Sequence, residues 1–89
     1  MQLKIFSLYD TKAKAYGQPF FSPTTGLAIR NLEDAVSRDK ESSLARHPAD
    51  FVLYEIGDFD DSIGKISGRT EYGNLGSAAQ FELKINEKK

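Results

Sequence analysis

Asp58, Asp60 and Ser62 alternate near the middle of the chain, and Gly64 follows. Oxygen donors at alternate positions are how a calcium-binding loop begins. The pattern goes no further: that loop needs glycine at its sixth position, where this chain has Ile63, and a bidentate glutamate at its twelfth, where it has Arg69. Paired carboxylates can also hydrolyse glycosides, but only in a cleft that raises one pKa, which a turn in so short a chain does not supply. The acidic corner is expected to be a reversal in which Asp and Ser side chains bond nearby backbone amides. His47, beside Arg46 and close to Asp50, has the partners of a general base. No serine elbow or thiol accompanies it, and its expected role is to pin the loop before the following strand. Gly68, Gly73 and Gly76 match neither phosphate-loop nor dinucleotide spacing. Catalysis is not expected, and neither is a metal or other cofactor.

A different chemistry is written in T-K-A-K-A-Y-G-Q-P-F-F, residues 11–21. Lys12 and Lys14 alternate ahead of Tyr16, with Phe20 and Phe21 beyond. Alternate lysines can follow phosphates while an aromatic ring stacks a base, the way single strands are held without sequence readout. Arg69 and Tyr72 form a second, weaker pair of this kind. The ordinary alternative is that the lysines keep a hairpin soluble while the phenylalanines enter the core.

These groups must be positioned by 89 residues, enough for one domain (residues 1–89) and for burying only about 60–65% of the surface an unfolded chain exposes. There is no cysteine to reinforce so thin a core. Lys and Arg number 12 against 13 Asp and Glu, and the pI is near 5.8, which argues against a uniformly basic nucleic-acid binder but allows a local basic patch. No apolar run approaches the roughly 20 residues of a membrane span, and no signal-peptide layout is seen. A soluble protein acting in a cytoplasm is expected.

Residues 3–10, L-K-I-F-S-L-Y-D, alternate with apolar groups on both faces, as a central strand does. Residues 15–22 read as an edge strand or bordering loop, because Pro19 cannot donate to a ladder. The helix is expected over 23–39, with Ala28, Ile29, Leu32, Ala35 and Val36 as its apolar stripe. Its N-cap is Ser22, with Pro23 opening the helix, or Thr25, the choice that keeps Gly26 at the helix edge. Residues 39–47 form a loop holding one helical turn anchored by Leu44, and His47 should be extended because Pro48 follows. Residues 51–56 and 63–67 read as strands about a turn. Residues 68–78 read as a flexible glycine-rich loop, 79–85 as a half-buried strand, and 86–89 as a frayed tail.

The fold class is therefore α+β: an antiparallel or mixed sheet of four to five strands in the order β-β-α-β-β-β, with one amphipathic helix packed on one face. The other face keeps apolar groups, either Phe6 and Leu8 or Val52, Tyr54 and Ile56. A homodimer or higher homo-oligomer is expected to cover them.

Three stretches together carry a family resemblance: L-Y-D-T-K with the following Q-P-F-F, A-I-R-N-L-E-D-A-V, and H-P-A-D-F-V-L-Y-E-I-G-D-F-D-D. In this order and spacing, over most of residues 6–66, the chain resembles the small nonstructural protein of gokushovirus-type microviruses, which are single-stranded DNA phages. The resemblance implies an early phage protein outside the capsid, working in the host cytoplasm, with a DNA-binding role or a part in single-stranded DNA synthesis. Arg30 and His47 fall at family motif positions, which implies either phosphate contact, by Arg30 and by a protonated His47, or a structural role for each. The expected function is nonenzymatic: a single-stranded DNA-binding accessory factor in viral genome replication, with Lys12, Lys14, Tyr16, Arg30, Arg69 and Tyr72 as the contact residues. The competing expectation is a protein-interaction module that engages a phage or host replication protein without touching DNA.

Overall fold

The structure is a computed structural model and describes residues 1–80. Its strands are β1 (Gln2–Asp10), β2 (Ala15–Tyr16), β3 (Phe20–Ser22), β4 (Phe51–Asp60) and β5 (Lys65–Ser77), with helices α1 (Thr25–Arg38) and α2 (Ser43–Arg46) between β3 and β4. The sheet runs β2-β1-β4-β5, and β3 also pairs with β1; every pairing is antiparallel. β1 is thus the central strand its two apolar faces imply, and the Pro19 segment is the edge, broken into two short strands around that proline.

The alternation of β1 assigns the faces. Phe6 and Leu8 point to the helix, where Phe6, Ala28, Leu32 and Leu53 form the buried cluster, with Leu8, Phe20, Ile29, Leu44 and Leu75 packed around it. The opposite face takes Leu3, Ile5, Ser7 and Tyr9, with the cross-strand partners Phe59, Gly57, Tyr54 and Val52. The choice between the two apolar sets is settled: Phe6 and Leu8 are covered by α1, and Val52, Tyr54 and Ile56 belong to the side on which no helix packs among the described residues.

α1 begins where a threonine can cap it. Thr24 is the N-cap, and its hydroxyl accepts from the Leu27 amide at 3.1 Å. The start lies one residue before Thr25, and Ser22 turns its hydroxyl to the Thr24 carbonyl instead. Ala28, Leu32 and Val36 are buried, whereas Ala35 is exposed, so the stripe is narrower than its sequence pattern. The polar loop does hold one turn, α2, capped by Ser42. His47 ends that turn with φ −135° and ψ 58° rather than extended. Its amide donates to the Ser43 carbonyl at 2.9 Å and its carbonyl accepts from the Asp50 amide at 3.0 Å, and these two bonds hold it in the bend.

Two expectations change along β4 and β5. β4 runs on through Asp60 instead of stopping at Ile56, because the alternation continues through Asp58, Phe59 and Asp60. Residues 68–78, expected as a flexible loop, are strand through Ser77 and helical from 78. The glycines that suggested a loop mark irregular pairing instead. Gly57 pairs with Gly68 and Glu55 with Gly73, so four residues of β5 face Ile56 alone, and the sheet curls there. A second slip at Leu53/Tyr54 uses Gly76, at φ +111°. The strand expected over 79–85 is replaced by helical turn at 79–80; its remainder and the tail at 86–89 lie outside the described residues.

Gly57 is where close approach is required: a Cβ there would lie 2.6 Å from the Ser67 carbonyl, whereas one on its partner Gly68 meets nothing within 4 Å. Gly57→Ala is expected to destabilise the fold by about 1–3 kcal/mol through this forced strand separation. Gly68→Ala should stay within about 0.5 kcal/mol of the parent. Urea unfolding of the two variants checks the difference.

Candidate nucleic-acid interface

All four tyrosines of the chain meet on the helix-free face, although they come from four strands. Tyr16 is the hub, with ring centroids 4.7 Å from Tyr9, 5.9 Å from Tyr54 and 5.8 Å from Tyr72. Tyr72 stands at 90° to Tyr16, and Tyr54 and Tyr72 are 6.4 Å apart. These are the tilted and edge-on separations at which aromatic pairs attract. Register produces the cluster: Tyr9 pairs directly with Tyr16, and Ser7 with Tyr54. Tyr16 is 47% and Tyr72 48% exposed, so both present ring surface to solvent, while Tyr9 and Tyr54 are half-buried supports.

Lys12 and Lys14 occupy the tip of the hairpin that delivers Tyr16. The Asp10 carboxylate accepts from the Lys12 and Ala13 amides at 2.9 and 3.2 Å, and the Lys14 amide donates to the Asp10 carbonyl at 2.8 Å. Lys14 closes the turn in the left-handed region at φ 57°. The hairpin is thus tied by backbone bonds, which leaves both lysine side chains exposed.

The other expected contact residues lie elsewhere. Arg30 is exposed on α1, behind the sheet. Arg69 and Tyr72 lie in the irregular stretch of β5, and their contacts put them on opposite faces. Tyr72 joins the tyrosines, while Arg69 reaches the helix side and pairs with Glu55 and, at 3.5 Å, Asp58. His47 is exposed at the end of α2. The structure therefore groups Lys12, Lys14, Tyr16 and Tyr72 and separates them from Arg30 and Arg69. Tyr9 and Tyr54 were missed because only cross-strand pairing brings them in.

Glu55 was also missed. It is 6% exposed, on the helix side of β4. One carboxylate oxygen takes both Lys4 Nζ at 3.2 Å and Arg69, and the other accepts from the Thr25 hydroxyl at 3.3 Å. A buried carboxylate is tolerable only with such partners. The acidic corner is the expected turn: Asp60 accepts from the Ser62 amide at 3.0 Å and hydroxyl at 2.6 Å, which lowers its pKa. Among the described residues, no three His, Asp or Glu side chains converge as metal ligands would. No helix there is long and apolar enough to cross a membrane.

A helix-backed, curled antiparallel sheet with an aromatic outer face is the class this geometry defines. Within it, the chain belongs to the Phage ORF5 protein family, whose model matches residues 3–81. It is similar to a protein named Protein ORF5 of Chlamydia phage 1, at 38% identity over 68 residues, covering 73% of this chain and 71% of that protein. No solved structure matches it. The phage origin implied by the three motif stretches is thereby established.

Replacing Glu55 by Gln removes the charge that Lys4 and Arg69 share and should cost about 1–3 kcal/mol in chemical denaturation. Asp58→Asn, at a half-exposed carboxylate, should cost under about 1 kcal/mol.

Tyr16 holds its proton above the ordinary tyrosine range, first because packed neighbours strip water from its hydroxyl and then because phenolates at Tyr54, Tyr72 and Tyr9 would repel its own. The folded state keeps this proton to higher pH than the unfolded chain does. The associated stability is complete at neutral pH and is lost as pH rises beyond about 10. Ultraviolet titration should show a late-ionising phenol that Tyr16→Phe abolishes; unchanged late ionisation in that variant would contradict the assignment.

Proposed function

We propose that this protein is a nonenzymatic single-stranded DNA-binding accessory factor in phage genome replication, acting in the host cytoplasm. The observation that carries the reading is the convergence of exposed Tyr16 and Tyr72 on one sheet face, beside a hairpin whose tip bears Lys12 and Lys14. Two rings at right angles offer separate stacking surfaces, and neither needs a particular base. The lysines supply the phosphate contact that stacking lacks. An open sheet face admits a flexible strand more readily than a duplex, whose bases are already stacked on one another.

The near-balanced charge fits this division of labour. Neutralising two phosphates predicts a shallow salt dependence, with a log–log slope of about −1.4 for single strands. Most of the affinity then comes from the rings, at roughly 1–3 kcal/mol per stacked base.

A fluorescent oligothymidine titrated at two salt concentrations tests this. Tyr16→Ala and Tyr72→Ala should each weaken binding by about 1–3 kcal/mol at either salt. Lys12→Glu with Lys14→Glu should weaken it at low salt and flatten the slope, while Arg30→Glu should change little. A parent chain that binds duplex as well as single strand, or a double lysine variant that binds like the parent at low salt, would sink the proposal.

A further inference from the structure

The helix-free face has a second half, bordered by Tyr72 and free of the other three tyrosines. Where Gly57 pairs with Gly68, two facing positions carry no side chain, and the sheet is left with a trench of about 230 Å³. Ile5 and Ile56 line it within the sheet, and Phe21, Ile66, Pro19 and Tyr72 rim it. Ile66 is 63% and Phe21 45% exposed, unusual for large apolar groups that stand together. Phe21 also packs against Phe59 at 5.6 Å, and Phe59 pairs with Leu3 and Ile66, which extends the apolar surface toward the β4–β5 turn.

Among the described residues, none that lines the trench is charged. Lys4, Asp58, Asp60, Lys65 and Arg69 alternate onto the helix side, by register with one another or by their ion pairs. The lack of cations disfavours a phosphate backbone here, and the lack of any charge makes the surface compatible with itself. Two copies brought face to face would oppose no like charges.

We propose that the occupant is a second copy of this chain, docked about a two-fold axis so that Ile66 of each copy enters the Gly57–Gly68 trench of the other. Ile66 lies two residues from Gly68 on the same strand and the same face, so knob and trench are adjacent. A two-fold axis between them satisfies both copies at once, as an isologous interface requires. A specific interface needs about 800 Å² from each partner, more than a trench supplies, so Leu3, Phe21 and Phe59 belong to the contact as well. Tyr9, Tyr16 and Tyr54 are left outside it, with Tyr72 at its border.

Sedimentation equilibrium of the full chain without nucleic acid, over a wide concentration range, tests the proposal. The parent should pass from monomer to dimer. Ile66→Asp and Ile66→Lys, at an exposed position that folding does not need, should each weaken self-association at least about tenfold by opposing like charges at the axis. An equimolar mixture of the two should restore the dimer. Gly68→Leu, whose side chain projects into open trench, should abolish association while the circular dichroism spectrum stays that of the parent. A parent that remains monomeric throughout, an Ile66→Asp chain that associates like the parent, or a mixture no more associated than its components would overturn it. So would a different protein seated on the trench while the chain itself stays monomeric.

Discussion

The carboxylate of Glu55 is the interaction on which the arrangement of the sheet depends. It sits where strand alternation calls for an apolar side chain, beneath the first turn of α1, and takes its partners from three other elements: Lys4 of β1, Arg69 of β5 and Thr25 of α1. β4 pairs irregularly on both sides, with register shifts against β1 at Ile5/Phe6 and against β5 at two places. A slip of one residue would turn Glu55 to the opposite face and separate it from all three partners. A desolvated charge therefore fixes a register that the bulges alone would leave loose, at the cost of placing an ionised group beside the core.

The same constraint sorts the rest of the surface. With one helix and one ion network committed to one side, Asp58, Lys65 and Arg69 follow Glu55 to that side. The other side is left to aromatic and aliphatic groups. Arg69 shows the consequence most directly. As a free cation it would have extended the basic rim of the tyrosine face; as the partner of Glu55 and Asp58 it is held behind the sheet.

Much of this could be read in the residues, and the failures have a common cause. The apolar period of α1, the two-faced alternation of β1, the proline-broken edge and the Asp-Ser turn are local patterns, and the structure repeats them. Residues 68–77 misled because glycine signals both loops and strands that must approach closely or bulge, and only the partner strand decides between them. As a loop they would let Arg69 and Tyr72 act together; as a strand, they are divided by the sheet. Tyr16 and Tyr72 were recognised singly, but nothing in the linear order joins them to Tyr9 and Tyr54. That cluster is a property of the register, as is the pairing of Lys4 with Glu55 across 51 positions.

The helix-free face is divided along its length, and the division follows from side-chain chemistry. Tyrosine offers an apolar ring with a polar tip, so a tyrosine surface can remain wet without aggregating and can exchange water for a flat partner. Isoleucine and phenylalanine have no such tip, and their exposure around a glycine trench is stable only if something displaces water from it. The lysines stand beside the tyrosines and are missing from the trench. One face therefore presents an amphipathic surface suited to reversible contact and, continuous with it through Tyr72, an uncharged apolar surface around the trench. For a chain with so thin a core, cover over the trench would add buried area, while the aromatic patch on the other half needs no shielding by its own helix.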